Sequence, residues 1–102
     1  MLNVPNLAGM PFLASASLAQ RQAAQRASVR MTTTVVNTLA GSNVSIIDLM
    51  CDARLYDRNN YSSDGFHPND TGYALFTDLI YAAVAAASPA TPKSACSAMS
   101  TF

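Results

Sequence analysis

Blocks of apolar and polar residues follow one another along this chain, and each block predicts a different element. Leu2 to Val4 is a short apolar stretch that runs into proline and glycine, which is typical of a strand ending in a turn. From about Ser15 to Leu39 the chain lacks proline and glycine and is rich in alanine, glutamine and arginine, so a helix is favoured. Ser15 or Ser17 is its predicted N-cap, and Gly41 is the left-handed residue expected after its end. We expect an irregular turn where β-branched residues cluster near that end.

The second half of the chain contains a further apolar run, a polar loop and an apolar stripe at helical spacing. Val44 to Leu49 follows glycine, serine and asparagine, a combination that indicates a buried strand. Residues 51–67 are rich in aspartate, asparagine, arginine and serine, and loops of this length in compact domains usually carry function. A helix is predicted from about Thr71 to Ala87, and its apolar stripe is expected to pack on the strand region at 44–47. The stripe consists of Tyr73, Phe76, Thr77, Ile80 and Val84.

The resulting order of strand, helix, strand, loop and helix is typical of α/β domains with parallel strands. We therefore predict one α/β domain over residues 1–87, followed by a flexible tail over residues 88–102 that is rich in serine, alanine and proline. Two strands leave both edges of a sheet unpaired, so either copies of the chain associate or the chain is a piece of a larger domain. The predicted association is a homo-oligomer that pairs residues 2–4 or residues 44–49 across its interface.

Composition and charge exclude several classes of function. The formal net charge is zero, with six basic and six acidic residues, so the chain lacks the basic balance of a nucleic-acid-binding protein. No apolar run reaches the roughly 18 to 20 residues that a transmembrane helix needs, and the N-terminus does not resemble a secretory signal. Cys51 and Cys96 match no metal-ligand spacing, so we predict neither a metal site nor a cofactor. The two cysteines either form a disulfide that ties down the tail or remain independent thiols.

One segment combines residues that suit acid–base chemistry. Asp64 lies three residues before His67, the only histidine of the chain, at the predicted start of the second helix. A carboxylate that accepts the Nδ1 proton fixes the tautomer of an imidazole, whose Nε2 then removes a proton from a nucleophile. Gly65 permits a tight bend and Pro68 restricts the backbone of His67, so the two side chains are expected within hydrogen-bond distance. The alternative is that Asp64 caps a turn and His67 is an ordinary surface residue.

The segment from Asp64 to Tyr73, which reads DGFHPNDTGY, closely resembles the last block of the SGNH (GDSL-type) hydrolases, a family of serine esterases and lipases. In that family the block reads D-x-x-H-P, followed by N-x-x-G-[YH]. Six positions agree, namely Asp64, His67, Pro68, Asn69, Gly72 and Tyr73. Residues 2–7 and 44–57 also resemble later strands and loops of such a domain. The resemblance therefore covers roughly residues 1–87 and corresponds to the C-terminal half of the family's domain.

The resemblance implies a partial flavodoxin-like α/β/α fold with few parallel strands, and it implies hydrolysis of carboxylic esters through an acyl-enzyme. Asp64 and His67 would be the acid and the base of a catalytic triad, and the substrate would be a small, short-chain ester. Many members of the family are secreted. Because this chain shows no signal of its own, its compartment is left open.

The chain departs from the family at the nucleophile and at the oxyanion hole. It contains no G-D-S, no G-x-N-D and no G-x-S-x-G, so we expect a C-terminal fragment and leave the nucleophile unassigned. The serines nearest the pair lie in sequence that is typical of plain turns. The substitute nucleophiles that we considered are Ser62, Ser63, Ser42, Ser45 and Cys51. Two functions from different classes follow: an ester hydrolase, and a non-catalytic self-associating fragment of such a fold.

Overall fold

Two α-helices dominate the computed structural model, which describes residues 1–100. Helix α1 spans Leu18–Met31 and continues as a π-helical segment, Thr32–Val36, and helix α2 spans Asp70–Ala85. Short 3₁₀ turns occupy Leu7–Gly9, Pro11–Leu13, Asn37–Leu39, Ala53–Tyr56, Arg58–Asn60 and Ser97–Ser100. No helix within residues 1–100 is long and apolar enough to cross a membrane.

Helix α1 begins where a serine and a glutamine cap each other. The Ser17 hydroxyl accepts a hydrogen bond from the Gln20 N–H at 3.2 Å, and the Gln20 side chain accepts one from the Ser17 N–H at 3.0 Å. This capping box satisfies two N–H groups that would otherwise lack partners at the start of the helix. Of the two predicted N-caps, the structure therefore uses Ser17 and not Ser15.

The β-branched run after α1 widens the helix before ending it. The hydroxyls of Thr33 and Thr34 donate to backbone carbonyls four residues earlier, and such side-chain bonds compete with the backbone ladder. The irregular turn predicted here is accordingly a π-helical segment. The prediction for Gly41 is wrong, because the chain leaves this helical region through an extended Ala40. Among the glycines of residues 1–100, positive φ is confined to Gly65.

The α/β architecture predicted from the sequence is wrong, because residues 1–100 contain no β-strand and therefore no sheet. The two predicted strands meet at one parallel bridge, between Leu2 and Ile47. There the Ile47 N–H donates to the Met1 carbonyl at 2.8 Å, and the Asn3 N–H donates to the Ile47 carbonyl at 3.1 Å. The pairing ends here because the Leu49 N–H turns back to the carbonyl of Ile47 and bends the second segment. The flavodoxin-like arrangement implied by the resemblance is overturned with it.

Other groups of the chain already occupy polar backbone atoms along these two segments. The fully buried Thr32 donates its hydroxyl to the Val4 carbonyl at 2.7 Å and accepts from the Val4 N–H at 3.1 Å. In the second segment the Ile46 N–H donates to the carbonyl of Ala90 at 2.9 Å. A strand from another copy would need these same backbone N–H and carbonyl groups. At Val4 and Ile46 they are already hydrogen-bonded, so the predicted pairing between copies is not available there.

Helix α2 packs on the core through a face that differs from the predicted stripe. The buried side chains of Ile47, Leu49 and Leu55 form the centre of this core. The residues of α2 that pack against them are Leu75, Phe76, Leu79 and Ala83. Phe76 therefore packs against the core, but it is partly buried where full burial was predicted. The helix runs from Asp70 to Ala85 where Thr71 to Ala87 was expected.

The rest of the predicted stripe faces solvent. Tyr73 is 59%, Ile80 is 43% and Val84 is 81% exposed, so the prediction that Ile80 and Val84 are buried against the strand region is wrong. The reason lies at Gly72, where a Cβ atom would overlap the carbonyl oxygen of Asn60. Because this close approach requires glycine, the helix turns its Gly72 side towards the loop and its Tyr73 side outwards.

A disulfide ties the C-terminal segment to the remainder of the protein. It joins Cys51 to Cys96, whose Cα atoms lie 5.8 Å apart, so the bonded alternative for the two cysteines is the one observed. Further hydrogen bonds run from Lys93 to Asp48, from Asn6 to Ala98 and from Gln25 to Met99. The part of the predicted flexible tail at 88–100 is thus held at several points, and residues 101–102 lie outside the described residues.

Candidate functional site

A tight turn brings the carboxylate of Asp64 against the imidazole of His67. One carboxylate oxygen, Oδ1, accepts the N–H groups of Phe66 and His67 at 2.9 and 3.0 Å. The other, Oδ2, lies 2.5 Å from Nδ1 of the His67 ring. The two side chains therefore lie at hydrogen-bond distance, as the sequence predicts. Because Nδ1 is occupied by Asp64, Nε2 is the ring nitrogen left to exchange a proton with another group.

Backbone hydrogen bonds around this turn fix its shape. The Ser62 N–H donates to the His67 carbonyl at 2.8 Å, and the Gly65 N–H donates to the Ser62 carbonyl at 3.0 Å. The Arg58 guanidinium donates to the carbonyls of Ser62 and Ser63 at 2.6 and 3.0 Å. These bonds close the loop and hold Asp64 close to His67.

Asn69 and Gly72 attach this turn to the start of α2. The Asn69 side-chain oxygen accepts the Gly72 N–H at 3.0 Å and caps the helix, while its amide group donates to the carbonyls of Asn59 and Tyr61. The absent side chain of Gly72 lets the helix approach the carbonyl of Asn60. The residue types at these two motif positions thus have a physical reason in this chain, because they seat the Asp64–His67 turn on the N-terminus of α2.

The environment of Asp64 favours its charged form. Its pKa falls from the ordinary 3.8 to about 2, first through the hydrogen bond to the His67 ring and then through the two backbone N–H donors. Both side chains remain accessible, with 68% of the His67 side chain and 48% of the Asp64 side chain exposed. Within the described residues Nε2 has no hydrogen-bond partner, so the Nε2 edge of the imidazole is open to solvent.

We expect the Asp64 carboxyl to titrate near pH 2 in the folded protein, as measured by the pH dependence of its NMR carbonyl resonance. Because this pKa lies below the unfolded value, the ionised carboxylate stabilises the turn above about pH 4, and this stabilisation is lost as the pH falls towards 2. In His67→Ala the midpoint should rise towards 3.8 but remain below it, since both backbone donors persist. A wild-type midpoint near 3.8 would show that the pair is not formed in solution.

An apolar cavity of about 380 Å³ opens beside His67. Its walls include Val4, Met10, Leu49, Leu55, Phe66 and Phe76. Two other polar side chains at the wall are already engaged, since Asn3 bonds to three neighbours and the Tyr61 hydroxyl donates to the carbonyl of Leu55. Among the polar side chains that line this cavity within residues 1–100, the His67 imidazole is therefore the one that can still bind a ligand.

The structure does not pair His67 with any of the candidate nucleophiles considered from the sequence. Ser62 donates its hydroxyl to the Pro68 carbonyl, and Cys51 is consumed in the disulfide. Ser42 and Ser45 lie beside the C-terminal end of α2, roughly 24 Å along the helix from the end that carries His67. No hydrogen bond joins Ser63 to the imidazole either, so none of the candidate nucleophiles in residues 1–100 is hydrogen-bonded to Nε2.

Sequence reasoning missed Phe12, which comes from a distant part of the chain. Its ring lies 5.1 Å from the ring of Phe66 in an edge-to-face arrangement, and the Phe66 ring lies 5.2 Å from that of His67. The sequence offers no periodicity that relates position 12 to position 66. Gly65 is the one available signal, because the absence of a side chain there lets the backbone of Phe12 come close.

Comparison with known proteins adds no relative to these observations. No protein-family model, no curated protein and no solved structure matches the chain.

Proposed function

We propose that this protein hydrolyses carboxylic esters, with His67 as the general base and Asp64 as the carboxylate that orients it. The observation that carries the proposal is the 2.5 Å contact between Asp64 Oδ2 and His67 Nδ1, with Nε2 left open. A carboxylate in this position holds the imidazole in the tautomer that can accept a proton at Nε2, and it stabilises the imidazolium that forms.

In the proposed reaction a serine hydroxyl, from the same chain or from a neighbouring copy, approaches Nε2 of His67 from the side away from Asp64. Nε2 takes the hydroxyl proton as the oxygen attacks the ester carbonyl carbon, and the proton then passes to the leaving alkoxide as the C–O bond breaks. An acyl ester on the protein results. Water repeats the two steps, which releases the carboxylic acid and restores the hydroxyl.

The cavity beside His67 supports a small ester with an aliphatic acyl group as the substrate. Its wall is apolar apart from groups that are already hydrogen-bonded, so an alkyl chain is stabilised there by removal from water. The reacting carbonyl would then lie at the rim, next to the imidazole. At about 380 Å³ the cavity falls at the lower end of the range for small-molecule sites, which suits a short chain.

The proposal is tested by the hydrolysis of p-nitrophenyl butyrate and by labelling with a serine-directed fluorophosphonate. We expect turnover in proportion to protein concentration and one labelled serine, identified by peptide mapping. Turnover should disappear in His67→Ala and persist in Asp70→Ala, an exposed carboxylate close to the site. Equal rates in the wild type and in His67→Ala would reveal a contaminating esterase and overturn the proposal, as would a folded wild type without turnover.

A second candidate function, self-association, is favoured by the exposed apolar face of α2. Ile80, Tyr81 and Val84 are 43%, 72% and 81% exposed, and Ile80 and Val84 share a surface hollow with Met1 and Leu2. Apolar side chains grouped in this way are typical of protein interfaces. This face, and not an open sheet edge, is the proposed contact between copies.

We expect the wild type to sediment as a dimer at micromolar concentration and Val84→Asp to sediment as a monomer, because a charge in the apolar face opposes its burial. Ala27→Asp is the matched control on the exposed surface of α1 and should remain dimeric. A wild type that stays monomeric throughout the micromolar range contradicts self-association and leaves the hydrolase proposal unaffected.

A further inference from the structure

The turn that carries Asp64 and His67 contacts a second loop, which contributes Phe12. The Phe12 N–H donates to the carbonyl of Gly65 at 3.1 Å. Gly65 has φ +72, and a Cβ atom there would lie 2.8 Å from the Phe12 nitrogen. Residue 65 must therefore be glycine both for its left-handed backbone and for the closeness of the second loop.

The second loop is itself firmly attached. Met10 and Ala8 are 6% and 5% exposed, and the 3₁₀ turn Pro11–Leu13 follows directly on Met10. Met10 also forms part of the wall of the cavity beside His67. The backbone of Phe12 is thus held by buried neighbours before it and by the hydrogen bond to Gly65.

Three rings then follow one another from this loop to the imidazole. The rings of Phe12 and Phe66 lie 5.1 Å apart at an interplanar angle of 73°, and the rings of Phe66 and His67 lie 5.2 Å apart at 90°. Both distances and both angles match the favourable edge-to-face arrangement of aromatic rings. Because the His67 side chain is 68% exposed, the Asp64 carboxylate and the Phe66 ring are its principal described contacts.

Phe66 needs a support of its own in order to hold the imidazole. It is 48% exposed, so only about half of its surface is covered by the rest of the protein. Its described ring contacts are Phe12 on one side and His67 on the other. Without the Phe12 ring, Phe66 would be free to change rotamer, and the plane of the imidazole would be set by a single hydrogen bond.

We infer that Phe12 is a positioning residue for His67, acting through the ring of Phe66 to fix the plane of the imidazole. The structural part of this inference stands on the ring geometry, and its kinetic consequence rests on the proposed ester hydrolysis. The side chain of Phe12 has no polar atom, so it takes no part in proton transfer.

NMR of the imidazole tests the structural part without any need for turnover. His67 is the only histidine of the chain, so its Cε1–H and Cδ2–H resonances are assigned without ambiguity. In Phe12→Leu, which keeps an apolar side chain but removes the ring, we expect both resonances to move towards those of Phe66→Leu and to broaden. Phe12→Tyr should restore the wild-type positions, and Leu13→Ala, in the same 3₁₀ turn, should leave them unchanged.

The kinetic test uses the same variants with p-nitrophenyl butyrate. We expect Phe12→Leu to lower kcat by about 2- to 12-fold with KM unchanged, which corresponds to the loss of one aromatic pair. Imidazole resonances that are identical in the wild type and in Phe12→Leu would overturn the inference, whatever the activity. Shifted resonances in a chain that does not hydrolyse the ester would uphold the positioning of the ring and reject only the proposed function.

Discussion

Replacing Asp64 by asparagine is expected to preserve the fold and to lower ester turnover by about 10²- to 10⁴-fold. The side-chain oxygen of asparagine can still accept the N–H groups of Phe66 and His67, so the turn remains. The amide group of asparagine, however, donates a hydrogen bond to Nδ1, whereas the carboxylate of Asp64 accepts one from it. The imidazole then carries its proton on Nε2, and it has no lone pair there with which to act as a base.

Asp57→Asn is the matched control for this experiment. Asp57 is also exposed, and it also accepts a backbone N–H two residues further along, that of Asn59. Unlike Asp64, it makes no hydrogen bond to the imidazole. Circular dichroism and kcat/KM should therefore be unchanged in Asp57→Asn, whereas Asp64→Asn should lose turnover with an unchanged spectrum. Full activity in Asp64→Asn would show that the carboxylate is not part of the mechanism.

The second large effect is expected from the double variant Cys51→Ala, Cys96→Ala. The disulfide joins residues 45 positions apart. Without it the unfolded chain gains conformational entropy, which lowers the free energy of unfolding by about 4 kcal/mol. Since a domain is typically stable by about 5 to 15 kcal/mol, this is a large share of the total. We expect the urea midpoint to fall by roughly 1 to 4 M.

Reduction of the wild type provides the control for this variant. Dithiothreitol should lower the urea midpoint of the wild type to that of the double variant, and it should have no effect on the double variant itself. An equal midpoint for the oxidised wild type and the double variant would mean that the hydrogen bonds of Lys93, Asn6 and Gln25 hold the C-terminal segment without the disulfide.

Local chemistry made part of this structure predictable from the sequence. Ser17 caps α1, the threonines that follow α1 distort the helix, and α2 begins at Asp70, one residue before its predicted start. The Asp64–His67 pair was predictable for the same reason, because a turn with glycine inside it and proline after it constrains residues that are three positions apart.

What the sequence did not reveal depends on contacts between distant residues. The apolar runs around Leu2 and Ile47 are typical of strands, but whether they extend a ladder depends on Thr32 and Leu49, which redirect the backbone hydrogen bonds. The buried face of α2 was misassigned because periodicity identifies apolar residues without showing which of them face the core. Gly72 decides that question through its approach to a loop carbonyl.

The disulfide between Cys51 and Cys96 also closes a covalent ring, and that ring contains Asp64, His67 and all of α2. A protease that cuts once inside it, for example after the exposed Arg58, opens the ring without dividing the molecule. The nicked protein would migrate as one species on a non-reducing gel and as two after reduction. Backbone cleavage in the loop that precedes the candidate site is therefore compatible with both halves remaining joined.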